Sequence, residues 1–247
     1  MIGELRVLPL LGIPEIEDGD DLATLVVEAA ARAGGLAEND VLVVAQKVVS
    51  KEEGRVVRLD DVEPSPEARE LAGEEDARRI EVILRESRRV VRSRPPLVIA
   101  ETSHGFVCAS AGVDSSNAKG PGTVVLLPLD PDASASRLRL RIRDLTGHEV
   151  AVVVSDSFGR AWRTGTTDVA LGVAGMTALL DLRGTRDPVG YELHATQIAV
   201  ADEVAGAAEL VMGKVDGVPA AIVRGLRPSG DGCGADLVMP ADRDLFR

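Results

Sequence analysis

Residues 149–156 read EVAVVVSD and run straight into SFGRAWRTGTTDVALGVAGM at 157–176. Five consecutive apolar positions describe a strand buried on both faces, which emerges from the core at Ser155 and Asp156. Outward from it, VLVVAQKVVS (41–50) reads as a second buried strand and VPAAIVRG (218–225) as the last one. LRVLPLLGIPEI (5–16) is a strand and turn broken by Pro9, Gly12 and Pro14. TVVLLP (123–128) is a short strand, and LVIAE (97–101) pairs with GFVCASAGVD (105–114) through the intervening residues. Helical spacing predicts helices over 21–33, ended by Gly34-Gly35, over 134–146, ended by Gly147, and over 193–213. Residues 67–94 carry seven acids and eight bases, with mixed signs at i,i+3 and i,i+4 that predict a solvated helix closed by Pro95-Pro96. Strands and helices alternate without a regular βαβ rhythm. The expected fold class is therefore α+β, with mixed or antiparallel sheets and flanking helices.

A chain of 247 residues has room for one large domain or two interleaved smaller ones. No apolar run approaches the roughly 20 residues of a membrane span, and the start, MIGELRVLPLLG, has no basic region with a cleavage site. The expected location is cytoplasmic. Cys108 and Cys233 alone make neither a disulfide scaffold nor a Cys-x-x-Cys metal pair. A net charge of −12 and 2% aromatic residues argue against nucleic acid as a partner.

The familiar signatures of nucleotide and hydrolase sites are absent. Gly213-Lys214 is followed by Val215 where a P-loop needs a hydroxyl, no G-x-G-x-x-G follows a strand, and His104, His148 and His194 lie far apart in sequence. Chemistry must then rest on carboxylates, amides, hydroxyls and cations. Asp156 ends a buried run and opens D-S-F-G-R, and Asp114 ends FVCASAGV and opens D-S-S-N. Each can cap a turn, yet together they offer hard oxygen donors for Mg²⁺ or Mn²⁺ beside a phosphate. Arg160 and Arg163 follow closely enough to stabilise charge on a transferring phosphoryl group. Against 24 arginines there are four lysines, Lys47, Lys51, Lys119 and Lys214, all in strand-end or Gly/Ser-containing segments suited to phosphate contact.

LPLLGIPEI with GDDL (8–22), VVAQKVVSKEEGR (43–55), AGVDSSN (111–117), LLPLDPDASA (126–135), VVVSDSFGRAWRTGTTDVALGVAG (152–175), RDPVGYEL (186–193), VADEVAGAAELVMGK (200–214) and PAAIVRG (219–225) follow one another in family order. On these motifs the chain resembles the gamma-glutamyl ligases of coenzyme F420 biosynthesis. The resemblance implies ligation of L-glutamate to F420-0 at the expense of GTP, through an acyl phosphate. It also implies an F420 ligase-like fold, an intertwined homodimer, two divalent ions per site and K⁺ as a further cation. Within it, Asp114, Asp156 and Arg160 look catalytic. Asp114 and Asp156 look like ligands of one Mg²⁺ or Mn²⁺ and Ser157 like a ligand of a second. Ile13, Pro14, Glu15, Ile16, Gln46, Lys51, Asn117 and the stretch Met212, Gly213, Lys214 to Pro219 look like nucleotide contacts. Lys214 departs from relatives that carry a Gln metal ligand there, and Ser157 keeps a hydroxyl. The chain stops about where the ligase part ends, so the expectation is a stand-alone ligase over 1–247 without a C-terminal flavin-binding reductase domain. An amide ligase for another phosphorylated acid and a non-catalytic GTP-binding regulator are the alternatives.

Overall fold

A computed structural model describes residues 3–245; Met1, Ile2, Phe246 and Arg247, the ends of the expected 1–247 domain, fall outside the described residues. In chain order the elements are β1 (Arg6–Pro9), α1 (Leu22–Arg32), β2 (Val41–Ala45), α2 (Gln46–Glu52), β3 (Val56–Arg58), α3 (Pro66–Ala72), α4 (Ala77–Arg85) and β4 (Ser87–Arg94). They continue with β5 (Leu97–Thr102), β6 (Val107–Ala109), β7 (Thr123–Val125), α5 (Pro131–Thr146), β8 (Ala151–Arg160) and β9 (Arg163–Ala174). The last are β10 (Leu180–Asp181), β11 (Gln197–Ile198), α6 (Val200–Met212) and β12 (Ala220–Arg224). The mixture of helices with several small sheets is α+β.

The principal sheet runs β1-β12-β2-β8-β9. Its pairs are antiparallel except at the centre, where β2 and β8 run parallel from Val41↔Ala151 to Ala45↔Ser155. Alternation then sorts the apolar side chains. Leu42, Val44, Val152, Val154 and Ile222 pack with α1 and α5 on one face, while Val41, Val43, Ala151, Val153 and Val223 pack with α6 on the other. Each fully buried Val or Leu contributes roughly 1.5–3 kcal/mol, so the central strands are fixed in register by both layers. Asp40, 1% exposed, accepts two hydrogen bonds from Arg224, at 2.8 and 2.7 Å, and one from the Ala37 N–H. That pair ties the start of β2 to the end of β12. A separate apolar cluster joins α3 and α4 to the sheet β4-β5-β6 and the ribbon β3-β7.

Four expectations change. The 41–50 run is a strand only to Ala45; at Gln46 it becomes α2, with Ala45 as an extended cap residue. The 67–94 segment is α3, α4 and β4 rather than one helix. Gly73 at φ 61° stops α3, Asp76 caps α4 through the Arg78 N–H, and SRRVVRSR pairs with β5 across the Pro95-Pro96 turn. The 193–213 helix begins at Val200, after β11 has paired with β10. Residues 157–176, expected only as a Gly/Thr-rich stretch, supply the outer end of β8 and all of β9 in the long hairpin.

The hairpin lies tight against the start of α5. A Cβ on Gly172 would stand 2.1 Å from the Pro131 carbonyl oxygen, whereas one on Gly159 would meet nothing within 4 Å. Gly172→Ala should therefore lower unfolding free energy by about 1–3 kcal/mol and Gly159→Ala should be close to neutral, as measured by urea denaturation.

Candidate functional site

The cavity forms because two paired strands end differently. β2 stops at Ala45, opposite Ser155, but β8 continues to Arg160 with β9 as its only partner among the described residues. Beyond Ala45 the β2 side of β8 is therefore open, and α2 starts at the opening. The resulting cavity has a volume of about 290 Å³. The turn Ile13, Pro14, Glu15 and Ile16 forms one side of its lining; Gln46, Lys47 and Lys51 come from α2, and Asn117 from the loop after β6. Asp156, Ser157 and Asp168 come from the hairpin, and Met212, Gly213, Lys214 and Pro219 from the end of α6 and the loop into β12.

The polar groups are held closely. Lys51 is buried and pairs with Glu15 in a short hydrogen bond. Lys47, also buried, donates to Asp114 Oδ2 at 2.6 Å and to Ser116 Oγ at 2.8 Å. Gln46 is 1% exposed; its Oε1 accepts from Ser50 Oγ at 2.9 Å, but its Nε2 has no partner among the described residues. A buried donor without an acceptor costs about 1–3 kcal/mol, and Gln46 lines the cavity, where a ligand acceptor would satisfy it. Asn117, at φ 56°, donates from Nδ2 to the Lys214 carbonyl at 3.4 Å and so joins two loops across the opening.

Two carboxylates of the lining stand on the paired strands of the hairpin, Asp156 opposite Val169 and Asp168 opposite Ser157, so alternation sends them to opposite faces. Ser157 pairs with Asp168 in register, and Asp168 accepts from Ser157 Oγ at 2.7 Å and Ser155 Oγ at 2.9 Å. Burial pushes the Asp156 carboxyl up to about 6, aided by the Asp168 charge and opposed by the Ser157 N–H, Lys47 and Lys214. Asp114 behaves in the opposite way. Burial alone would raise it, but the Lys47 hydrogen bond and the Ser116 N–H and hydroxyl outweigh burial and bring it down to about 2. Nearby Cys108 is pushed up to about 12 by burial and by the Asp156 charge, so its thiol is inert at neutral pH.

The expected site residues do not all gather here. Asp114 stands behind the lining, reached through Lys47 and Lys214, the latter at 3.7 Å. Arg160 is outside the cavity, at the exposed end of the hairpin, where its guanidinium donates to the Thr164 carbonyl at 3.0 Å; Arg163 is exposed beside it. Conversely, Asp168 and Glu209 line the cavity without having been singled out. The signal for Asp168 was present: a charge inside the TTDVALGVA strand, at the position facing Ser157 once the hairpin is drawn. Glu209 lies three residues before Met212, on the same side of a helix.

Asp156 on one face of the hairpin, and Asp168 with the Ser157 hydroxyl on the other, are hard oxygen donors. Asp156 suits a Mg²⁺ or Mn²⁺, an ion bound through one or two carboxylates with phosphate oxygens and water completing it. Among the described residues no three His, Cys, Asp or Glu side chains converge on one point, so such an ion would depend on its ligand. At Asp114 an ion would meet two ammonium groups, and a second divalent ion does not fit the residues there.

The F420-0:Gamma-glutamyl ligase family model matches residues 11–225. A coenzyme F420:L-glutamate ligase of Methanopyrus kandleri is 47% identical over 98% of both chains. Those of Methanothermobacter thermautotrophicus and Methanocaldococcus jannaschii are 43% and 41% identical, over 98% and 100% of this chain and 99% and 100% of their own. Because the matched region runs unbroken from the Ile13 turn past Pro219 and takes in every lining segment, the chain belongs to the F420-0:gamma-glutamyl ligase family.

Proposed function

We propose that this chain joins L-glutamate to coenzyme F420-0 using GTP, through an acyl phosphate, with Mg²⁺ or Mn²⁺ at the cavity. The compounds joined are those in the relatives' names. The observation that carries the nucleotide part is the company kept at one opening: buried Lys47 and Lys51, the unpaired Gln46 amide, and Asp156 with Asp168 on facing strands. Cations and metal-binding oxygens at one cleft suit a triphosphate, which the −12 charge of the whole chain otherwise repels.

In this reading a carboxylate oxygen of F420-0 attacks the γ-phosphorus of GTP, the bond to the β-phosphate oxygen breaks, and GDP leaves. The neutral glutamate amine then attacks the acyl carbon, phosphate departs, and the nitrogen gives up one proton. A bound divalent ion supplies neutralisation of phosphate charge beside Asp156 and Ser157. The rest is done by the chain. Lys51 exchanges Glu15 for a phosphate oxygen, the Gln46 amide donates to a nucleotide acceptor, and the Ile13–Ile16 turn and the Met212–Pro219 segment enclose the nucleotide from two sides. Holding the two reacting groups together accounts for most of the rate. The reading extends to a homodimer, as the family resemblance implies. Light scattering should return twice the chain mass; the mass of a single chain would remove the dimer.

The direct test is GDP release from GTP in the presence of Mn²⁺, F420-0 and glutamate. Release that requires both acceptors is expected, and GTP binding without turnover would replace the ligase by a regulator. Asp156→Asn should cut turnover on the order of 10²–10³-fold while stabilising the ligand-free fold. Because Asp156 ionises near 6 when folded, the folded protein holds a proton that the unfolded chain has lost between the ordinary carboxylate range and pH 6. Stability of the wild type therefore falls as pH rises through that window. The variant's advantage should reach roughly 1–3 kcal/mol at pH 7 and vanish below about pH 4, as read from melting curves. Lys51→Ala should raise KM for GTP by about tenfold with a smaller change in kcat; equal GTP affinity in the two proteins would remove Lys51 from the phosphates.

A further inference from the structure

The carboxylates at the cavity are not equally available to cations. Asp114 is already fully engaged: its Oδ1 accepts from the Ser116 N–H at 2.7 Å, and its Oδ2 accepts from Ser116 Oγ at 2.8 Å and Lys47 Nζ at 2.6 Å. Lys214 Nζ stands 3.7 Å from the same Oδ2. The two lysines differ in kind. Lys47 is walled in and hydrogen-bonded, so it is part of the frame. Lys214 is beyond hydrogen-bond distance, on the solvent side of the carboxylate, with its side chain 53% exposed. That is the separation and exposure a hydrated cation would have.

The loop carrying Lys214 is itself anchored. The Gly213 N–H closes α6 by bonding to the Glu209 carbonyl at 2.9 Å, and the Lys214 carbonyl accepts from Asn117. Gly213 takes φ 60°, and a Cβ there would lie 2.4 Å from an Asp216 carboxylate oxygen, so the turn is specific to glycine. The Lys214 charge also acts on Asp156 and Glu209. One ammonium group thus lies near three carboxylates of the site, and Asp168 is engaged by the Ser155 and Ser157 hydroxyls, which leaves Asp156 with oxygen donors for an ion.

We propose that Lys214 is a built-in cation that takes the place of a second divalent ion, so that one metal ion, not two, accompanies the nucleotide in this protein. The proposal rests on the nucleotide reading above and narrows it: one positive charge of the site is covalent and permanent, and the other is exchangeable. A lysine serves as a point charge for phosphate oxygens without needing fixed coordination geometry. It is also always present, so occupancy of that position does not depend on metal concentration.

The test is a count of ions. Mn²⁺ is titrated into the full-length protein with saturating GDP, and bound metal is read from loss of the free-ion electron paramagnetic resonance signal. Wild type and Lys214→Arg should each bind one Mn²⁺ per chain, and Lys214→Gln, which removes the charge but keeps a neutral oxygen donor, should bind two. Because Lys214 is largely exposed, melting temperatures of the three should agree, which confirms that a changed count is not unfolding. Two ions in the wild type, or one in Lys214→Gln, overturns the proposal while leaving the nucleotide reading intact. No nucleotide-dependent Mn²⁺ binding in any of the three overturns both.

Discussion

The structure depends on the parallel pairing of β2 with β8. It is the one parallel contact in a sheet whose other pairs are antiparallel, and both strands are covered on both faces by apolar side chains. Two consequences follow from where it ends. At Ala45 the β2 chain turns into α2, which brings Gln46, Lys47 and Lys51 to the strand end. On the other side β8 runs on unpaired at that edge and presents Asp156 and Ser157 to the space left behind. The site is thus a gap in a sheet, with carboxylates on the strand that continues and ammonium groups on the strand that turns away.

The electrostatics follow from the same geometry. An acidic chain gathers cations locally by burying two of its four lysines at one helix and pairing each with a carboxylate. Buried charges of this kind are tolerated because they are paired. The two aspartates that read alike in sequence, each after an apolar run, end up opposite in character. Asp114 is surrounded by donors and stays ionised, while Asp156 lacks a hydrogen-bonded cation and holds its proton more tightly. Only the fold separates them, since Lys47, which decides the matter, is 67 positions from Asp114 in the chain.

Much of the fold was legible because its central strands are apolar runs with few competing readings; 150–154 and 41–45 could hardly be surface. What misled was charge. Residues 67–94 satisfy helical spacing for ion pairs, but Gly73, the Asp76 cap and the alternation of SRRVVRSR divide them into three elements. The cavity segments were legible through motif order, and the Ile13 turn, Gln46, Lys51, Asn117 and the Met212–Pro219 stretch do converge. Asp168 was missed because its meaning depends on hairpin register, and Arg160 was expected near the chemistry because seven residues of sequence do not reveal how far a hairpin projects. The sequence leads one to expect that Asp114 and Asp156 share an ion; the Lys47 ammonium that engages Asp114 comes from a distant segment that local pattern does not encode.

The unpaired amide of Gln46 has a broader meaning. The interior beside the cavity is incomplete at this atom, and the missing acceptor is not found among the described residues. Whatever fills the cavity with an oxygen or ring nitrogen at that point finishes the internal hydrogen-bond inventory as well as being recognised. Selectivity and structural integrity are then one property: a guest with the wrong heteroatom is rejected by the same deficit that leaves the empty host short of a partner.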